Sequence, residues 1–184
     1  MTNRYKISSS KQAYDGKFLK VREDRVSLEN GHSFHYEFVE HPGGAGILPV
    51  DKEGNCYLVR QYRYPVDQEV LEIPAGRLEE DGSTPAENAA RECQEEVGFL
   101  PGKITSLGRI LPSPGVVQEV IYLFLGTELT PTPPSPDPGE ILETVVLPYN
   151  ELLTKVENGE ISDAKTAMAV IRARAQIETL LNQR

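Results

Sequence analysis

Between residues 17 and 40 the chain alternates apolar and polar positions in two runs, 17–28 and 32–40, with Asn30-Gly31 between them. A period of two marks strands, and Asn-Gly is the pair that a tight hairpin turn favours. The pattern therefore predicts a hairpin with Phe34, Tyr36 and Phe38 on one face. A lone hairpin is marginal in water, so this one has to pack on the rest of the chain or on a second subunit. His41-Pro42-Gly43-Gly44-Ala45-Gly46 then breaks the pattern, which divides the chain into a small N-terminal β unit, residues 1–41, and a main domain, residues 42–184.

In the main domain short apolar runs predict strands at 47–50, 56–62, 70–73, 104–111, 119–125 and 142–147. Two helical patterns stand out among them. Thr84-Pro85-Ala86-Glu87 fits a capping box with proline in the first helical position, and Gly98 supplies a stop. Between these signals Ala86, Ala89, Ala90, Cys93 and Val97 recur at helical spacing, with the glutamates beside that stripe. A short helix follows at 150–156, and Asp163 caps a last helix to about residue 181, with Ala167, Met168, Ile171, Ala175 and Leu180 expected to face inward. Strands interleaved with few helices predict an α/β class, a mixed sheet sandwiched between helices.

Composition narrows the options. A chain of 184 residues suits one enzyme-sized core with a small appendage. No apolar run reaches the roughly 18 residues of a membrane span, and the N-terminus has no apolar segment of a signal-peptide kind. Cys56 and Cys93 are too few for a disulfide framework and read as buried small residues, which points to a reducing cytoplasm. The net charge of −9 argues against nucleic acid, whose phosphates need clustered Lys and Arg.

The acidic surplus is concentrated where chemistry is possible. Arg91-Glu92-Cys93-Gln94-Glu95-Glu96-Val97-Gly98-Phe99 sets three carboxylates at i, i+3 and i+4 of the capped helix. Residues so spaced share one side, and like charges there destabilise the helix unless something neutralises them. A hard divalent cation such as Mg²⁺, which takes carboxylate and phosphate oxygens, answers that need. Arg60 and Arg63, on the strand before the cluster, are available to an anionic substrate. After the proline-rich segment 130–138 come Glu140 and Glu143, a long loop delivering a carboxylate in the way an active-site loop delivers a base.

The segment from Gly76 to Phe99 resembles the Nudix box, G-x5-E-x7-R-E-U-x-E-E-x-G-U with U apolar. Gly76, Arg91, Glu92, Cys93, Glu95, Glu96, Gly98 and Phe99 match it. One position departs: Ser83 stands where the family has glutamate, and the loop from Gly76 is one residue longer, so that duty falls to Glu79, Glu80 or Glu87, or is lost. His41–Ala45, Leu58–Pro65, Leu71–Gly76, Pro112–Gly115 and Gly159–Thr166 are similar to the ADP-ribose pyrophosphatase branch.

The resemblance implies a Nudix-like α/β/α sandwich and Mg²⁺-dependent hydrolysis (Mn²⁺ being an alternative) of ADP-ribose or a related nucleoside diphosphate sugar. It implies that Glu92 and Glu96 hold the metal with the Ala75 carbonyl, that Glu95 joins a second metal or orients the shell, and that Arg91 fixes the glutamates. Glu140, then Glu143, is the expected base. Arg60, Arg63, Glu72 and Tyr36 are assigned to substrate, with Phe18, Phe34, Tyr62 and Tyr64 as further rings that either stack a base or serve the core. A homodimer is implied, with the N-terminal β unit crossing to the partner. Another nucleotide substrate, or a non-catalytic nucleotide-sugar sensor, stays open.

Overall fold

The computed structural model describes residues 5–136, 139 and 141–182. In chain order its strands and helices are β1 (Lys6–Asp15), β2 (Lys20–Ser27), β3 (Ser33–Glu40), β4 (Gly44–Pro49), β5 (Asn55–Arg63), β6 (Gln68–Glu72), β7 (Ala75–Arg77), α1 (Pro85–Val97), β8 (Phe99–Ile110), β9 (Val117–Gln118), β10 (Ile121–Pro131), β11 (Leu142–Pro148), α2 (Tyr149–Glu157) and α3 (Ala164–Leu181). Two units cluster: Met1–Gly43 with Leu111–Val120, and Gly44–Ile110 with Ile121–Arg184. The first therefore takes in a segment that lies well beyond residue 41.

The first unit is a four-stranded sheet in the order β1-β2-β3-β9. The expected hairpin is β2 and β3, paired antiparallel from Lys20↔Glu40 to Ser27↔Ser33. Gly31 sits at φ 87°, a left-handed value that glycine adopts without steric cost. β1 escapes a pattern reading because all ten of its residues are exposed and no buried face imposes alternation. Phe34 and Tyr36 are more than 40% exposed in this chain, along with Ile7, Tyr14 and Phe18.

The second unit holds two sheets, β7-β4-β10-β8 and β11-β5-β6. β4 and β10 run parallel while their other pairings are antiparallel, so the first of these sheets is mixed. All six residues of β4 are buried, and their alternation serves two cores. Ala45 and Ile47 pack with Val59 and Phe124 against Ala89, Cys93 and Val97 of α1. Leu48 and Val50 pack with Leu58, Leu123 and Leu125 against Leu152 of α2 and Ala169, Val170, Ala173 and Ile177 of α3. This is the helix–sheet–helix sandwich, with α1 on one side and α2 and α3 on the other.

Two faces differ from expectation. On α3 the buried residues are Thr166, Ala169, Val170, Ala173 and Ile177, whereas Ile171 is 51% exposed. The larger apolar residues suggested one face, but the small residues Thr166, Ala169 and Ala173 let the helix come close to the sheet. On α1 the buried set is Asn88, Ala89, Glu92, Cys93, Glu96 and Val97, so two of the glutamates lie on the buried flank and not outside it.

β8 and β10 are also longer than their apolar cores, pairing from Phe99↔Pro131 to Ile110↔Ile121. The start of the proline-rich segment is tied to the end of α1. Thr132 N–H donates to the Gly98 carbonyl at 2.8 Å and Ser135 N–H to the Glu95 carbonyl at 3.0 Å. Proline has no N–H, so the residues between the prolines make these bonds.

Candidate active site

Helix α1 is fixed at both ends. Thr84 N–H donates to Glu87 Oε2 at 2.7 Å and Glu87 N–H returns to Thr84 Oγ1 at 3.3 Å, which closes the capping box. At the other end Gly98 turns left-handed at φ 73°, and a Cβ there would meet the Thr132 carbonyl oxygen at 2.8 Å. Glu92 and Glu96 are 9% and 7% exposed. Burial of carboxylates at this depth is costly unless they are paired or bind a cation.

Arg91 is the partner the sequence supplies, and it is shared. Its Nη1 donates to Glu95, its Nη2 donates to Glu92 Oε1 at 2.7 Å, and the same Nη2 lies 3.0 Å from Glu79 Oε1. The guanidinium thus links three carboxylates and does not form a two-toothed pair with one of them. Partial burial works against its charge, but Glu92, Glu95 and Glu79 outweigh that and hold its pKa above the usual arginine value. Among the three glutamates considered for the missing box position, Glu79 reaches Arg91, while Glu87 is committed to the helix cap. Ser83 N–H donates to Asp81 Oδ1 at 2.8 Å.

The backbone of β7 lies against these carboxylates. Ala75 N–H donates to Glu96 Oε2 at 3.2 Å. At Gly76 a Cβ would stand 2.0 Å from Glu92 Oε1, so the Glu92 carboxylate occupies the space that a side chain would need. Asn88, 1% exposed, donates from Nδ2 to the Arg77 carbonyl at 3.1 Å and so holds the end of β7 on α1. Its role was not anticipated because its partner is a backbone atom of another element.

The donor chemistry here suits a hard cation: the carboxylate oxygens of Glu92 and Glu96 lie beside the Ala75–Gly76 backbone. Among the described residues no three acidic, histidine or cysteine side chains converge on one point to hold an ion unaided. Arg91 draws Glu92 and Glu95 toward itself, so a bound ion would complete its shell with backbone, water or substrate phosphate oxygens, as Mg²⁺ commonly does.

A second charged cluster lies at the end of β6. Glu72, 2% exposed, receives Arg63 Nε on Oε1 at 2.7 Å and Arg63 Nη2 on Oε2 at 2.8 Å, a fork-to-fork pair. Lys165 at the start of α3 also donates to Glu72 Oε2, and to Asp163 Oδ1 at 3.0 Å. Burial alone would raise the Glu72 pKa; Arg63 and Lys165 outweigh it and hold the carboxyl below its ordinary value near 4.5. Glu72 in turn raises the Arg63 pKa, with smaller contributions from Glu96 and Asp163. Arg63, Glu72, Ser162, Asp163 and Lys165 line a cavity of about 380 Å³ with the hairpin residues Pro65 and Val66. Lys165 was missed by sequence reasoning, since it is 93 positions from Glu72.

Arg60 and Glu143 face each other across β5 and β11 and pair with each other, Nη1 to Oε2 at 2.8 Å, both well exposed. Arg60 and Arg63 are three residues apart on one strand and so project to opposite faces; only Arg63 joins the buried cluster. Glu140 lies outside the described residues. Tyr36 belongs to the N-terminal unit, where Tyr5 meets it edge-on at 6.0 Å and 80°. It lines a cavity of about 520 Å³ with Tyr5, Arg22, Asp24 and Phe38. In that unit Arg22 stacks over Phe38 at 4.5 Å, and the buried Asp24 accepts from Ser10 at 2.6 Å.

Cys56 and Cys93 are both free and buried, and burial pushes each thiol up to about 12. Neither is a nucleophile at neutral pH. Among the described residues no helix is long and apolar enough to cross a membrane.

A sandwich whose strand–loop–helix unit carries buried glutamates around one arginine defines a class of phosphate-handling enzymes, and sequence comparison agrees. The NUDIX domain matches residues 40–169, and the nucleoside diphosphate sugar hydrolase N-terminal domain matches residues 6–39. This chain belongs to the NUDIX family. It is 35% identical over 167 residues to the ADP-ribose pyrophosphatase of Bacillus subtilis (strain 168), covering 90% of each chain. It is 32% identical to the methanol dehydrogenase activator of Bacillus methanolicus, again over 90% of each. The GDP-mannose pyrophosphatase of Yersinia enterocolitica is 33% identical, with 83% of this chain and 84% of that one covered. Among solved structures an ADP compounds hydrolase superposes with a TM-score of 0.83 at 20% identity, covering 96% of both chains, which establishes the shared fold.

Proposed function

We propose that this protein hydrolyses the diphosphate bond of nucleoside diphosphate sugars, with ADP-ribose as the leading substrate and Mg²⁺ as the cation, giving AMP and ribose 5-phosphate. The observation that carries this reading is the burial of Glu92 and Glu96 against the Ala75–Gly76 backbone, with one arginine shared among their neighbours. The relatives that act on ADP-ribose and GDP-mannose support the substrate class.

In this reading Glu92 and Glu96 would hold the cation with the Ala75 carbonyl, and Glu95 would orient its shell or serve a second ion. When bound, the cation neutralises the charge that builds on the phosphate oxygens as water attacks phosphorus. Arg91 keeps the carboxylates in place by charge-assisted hydrogen bonds. Arg63 and Lys165, both anchored on Glu72, present cations to the substrate phosphates from the cavity they line. Glu140 takes the proton of the attacking water. Glu143 is second choice because Arg60 already engages it. Tyr36 stacks on the base, and the exposed rings of the N-terminal unit are covered by the partner subunit of a homodimer. Two buried free thiols suit a cytoplasmic enzyme.

The test is phosphate release, after phosphatase coupling, from ADP-ribose, ADP-glucose, GDP-mannose, NADH, diadenosine polyphosphates and 8-oxo-dGTP, with and without Mg²⁺. Metal-dependent turnover led by ADP-ribose supports the full reading. Turnover led by another compound keeps the mechanism and replaces the substrate. No turnover by folded protein overturns the reading in favour of a binding module.

A further inference from the structure

The bend between β6 and β7 brings Ala75 and Gly76 to the α1 carboxylates, and each of its residues is tied to a distant part of the chain. The Glu72 carboxylate is held by Arg63 and Lys165. Ile73 N–H donates to Thr166 Oγ1 at 2.8 Å, the Pro74 carbonyl accepts from Ile47 N–H at 3.0 Å, and Ala75 N–H donates to Glu96. The Thr166 bond is fully enclosed: Thr166 is 0% and Ile73 1% exposed.

The direction of that bond is set by its neighbours. Asp163 Oδ2 accepts from Thr166 N–H at 2.9 Å and from Thr166 Oγ1–H at 2.5 Å. The hydroxyl proton is therefore committed to Asp163, and a hydroxyl so committed still has lone pairs for the Ile73 N–H. Ile73 is 1% exposed, so without the hydroxyl its N–H would be a buried donor that has lost this acceptor. The bend also has little room to move. At Gly76 the space for a Cβ is already filled by Glu92, whose Oε1 stands 2.0 Å from that point, so a small displacement of the backbone meets the carboxylate directly.

We infer that Thr166, at the start of α3, is a positioning residue for the metal-binding edge of the active site: its hydroxyl fixes the β6–β7 bend and so the distance from the Ala75–Gly76 backbone to Glu92 and Glu96. It touches neither substrate nor cation. The inference rests on the reading of α1 as the cation site and extends that site to a helix start far away in sequence.

The test compares wild type with T166V, which keeps the shape and removes the hydroxyl, and T166S, which restores it. Metal-free hydrogen exchange of the segment 73–77 is measured first, then Mn²⁺ affinity by the free-ion EPR signal, then kcat and KM for ADP-ribose. In T166V the segment exchanges faster and Mn²⁺ binds about tenfold more weakly, the scale typical for supports of metal ligands. Its kcat falls while KM changes by less than about twofold, and T166S stays near wild type throughout. If T166V does not fold, T166C replaces it, since a thiol is a poorer acceptor of similar reach. Wild-type exchange and Mn²⁺ affinity in T166V, even with a lower Tm, would overturn the inference while leaving the α1 reading intact. Equal Mn²⁺ affinity of wild type and E96Q would instead count against the α1 reading, and exchange of the 73–77 segment alone then decides the role of Thr166.

Discussion

Two groups of buried carboxylates lie within the catalytic unit, and the protein neutralises them differently. Glu72 stands between the Arg63 fork and the Lys165 ammonium, which Asp163 also pairs, so two carboxylates meet two cations. On α1 the proportion differs, because Arg91 is shared by Glu79, Glu92 and Glu95, with Glu96 buried alongside. A buried ion pair that the chain completes by itself is an element of architecture. A cluster in which several carboxylates share one arginine is where an external cation gains most on binding. On the proposed function, the contrast separates the residues that hold a substrate cavity in shape from those that call for a metal.

The largest effect that would sharpen this contrast comes from Glu96→Gln. In that variant kcat falls at least about a thousandfold, on the scale of losing a main electrostatic stabiliser. Without metal the Tm of E96Q stays near wild type, since a crowded anion has been removed. Addition of Mg²⁺ raises the Tm of wild type and leaves that of E96Q unchanged, by mass-action linkage.

Glu72→Gln does the opposite. It leaves two cations beside a neutral group in a buried place and costs about 3 kcal/mol of stability with or without metal. Acid sensitivity follows from the direction of the pKa shift. Because the folded carboxyl titrates below its ordinary 4.5, its contribution is complete above that pH and is lost as pH falls through the lower folded value. Urea melts between pH 6 and about 3 should therefore show a steeper loss in wild type than in E72Q.

Two smaller effects test the edges of the comparison. Glu140→Gln lowers kcat about a hundredfold or more, the range for a lost general base. Glu143→Gln breaks an exposed pair with Arg60, so it changes stability by less than about 1 kcal/mol and turnover only slightly. A large loss of turnover in E143Q with wild-type activity in E140Q would exchange the two assignments. Glu79→Gln, which removes the outermost partner of Arg91, lowers kcat by a factor of about three. An effect as large as that of E96Q would mean that Glu79 itself approaches the cation.

What the sequence made legible was local. Thr84, Pro85 and Glu87 mark the start of α1 and Gly98 its end, and helical spacing alone gathers Glu92, Glu95 and Glu96. The Asn30-Gly31 hairpin was readable for the same reason. Other features depend on residues that meet only in the folded chain. Lys165 and Thr166 reach the β6–β7 bend from 93 positions away. The inward face of α3 includes the small residues Thr166, Ala169 and Ala173, which allow close approach to the sheet, so the exposed Ile171 misdirects a reading by hydrophobicity while Met168 and Leu180 pack on the core as expected. β1 carries no apolar alternation because it buries no face in this chain. The division of the second unit into two sheets follows from pairing partners that strand patterns do not specify.

The most direct test of the central claim is an Mn²⁺ titration, read by the EPR signal of the free ion, of wild type and the E92Q/E96Q double variant at matched circular dichroism. Saturable binding to the wild type and loss of that binding in the double variant are the expected results. Equal binding by the two proteins would contradict the assignment of α1 as the cation site.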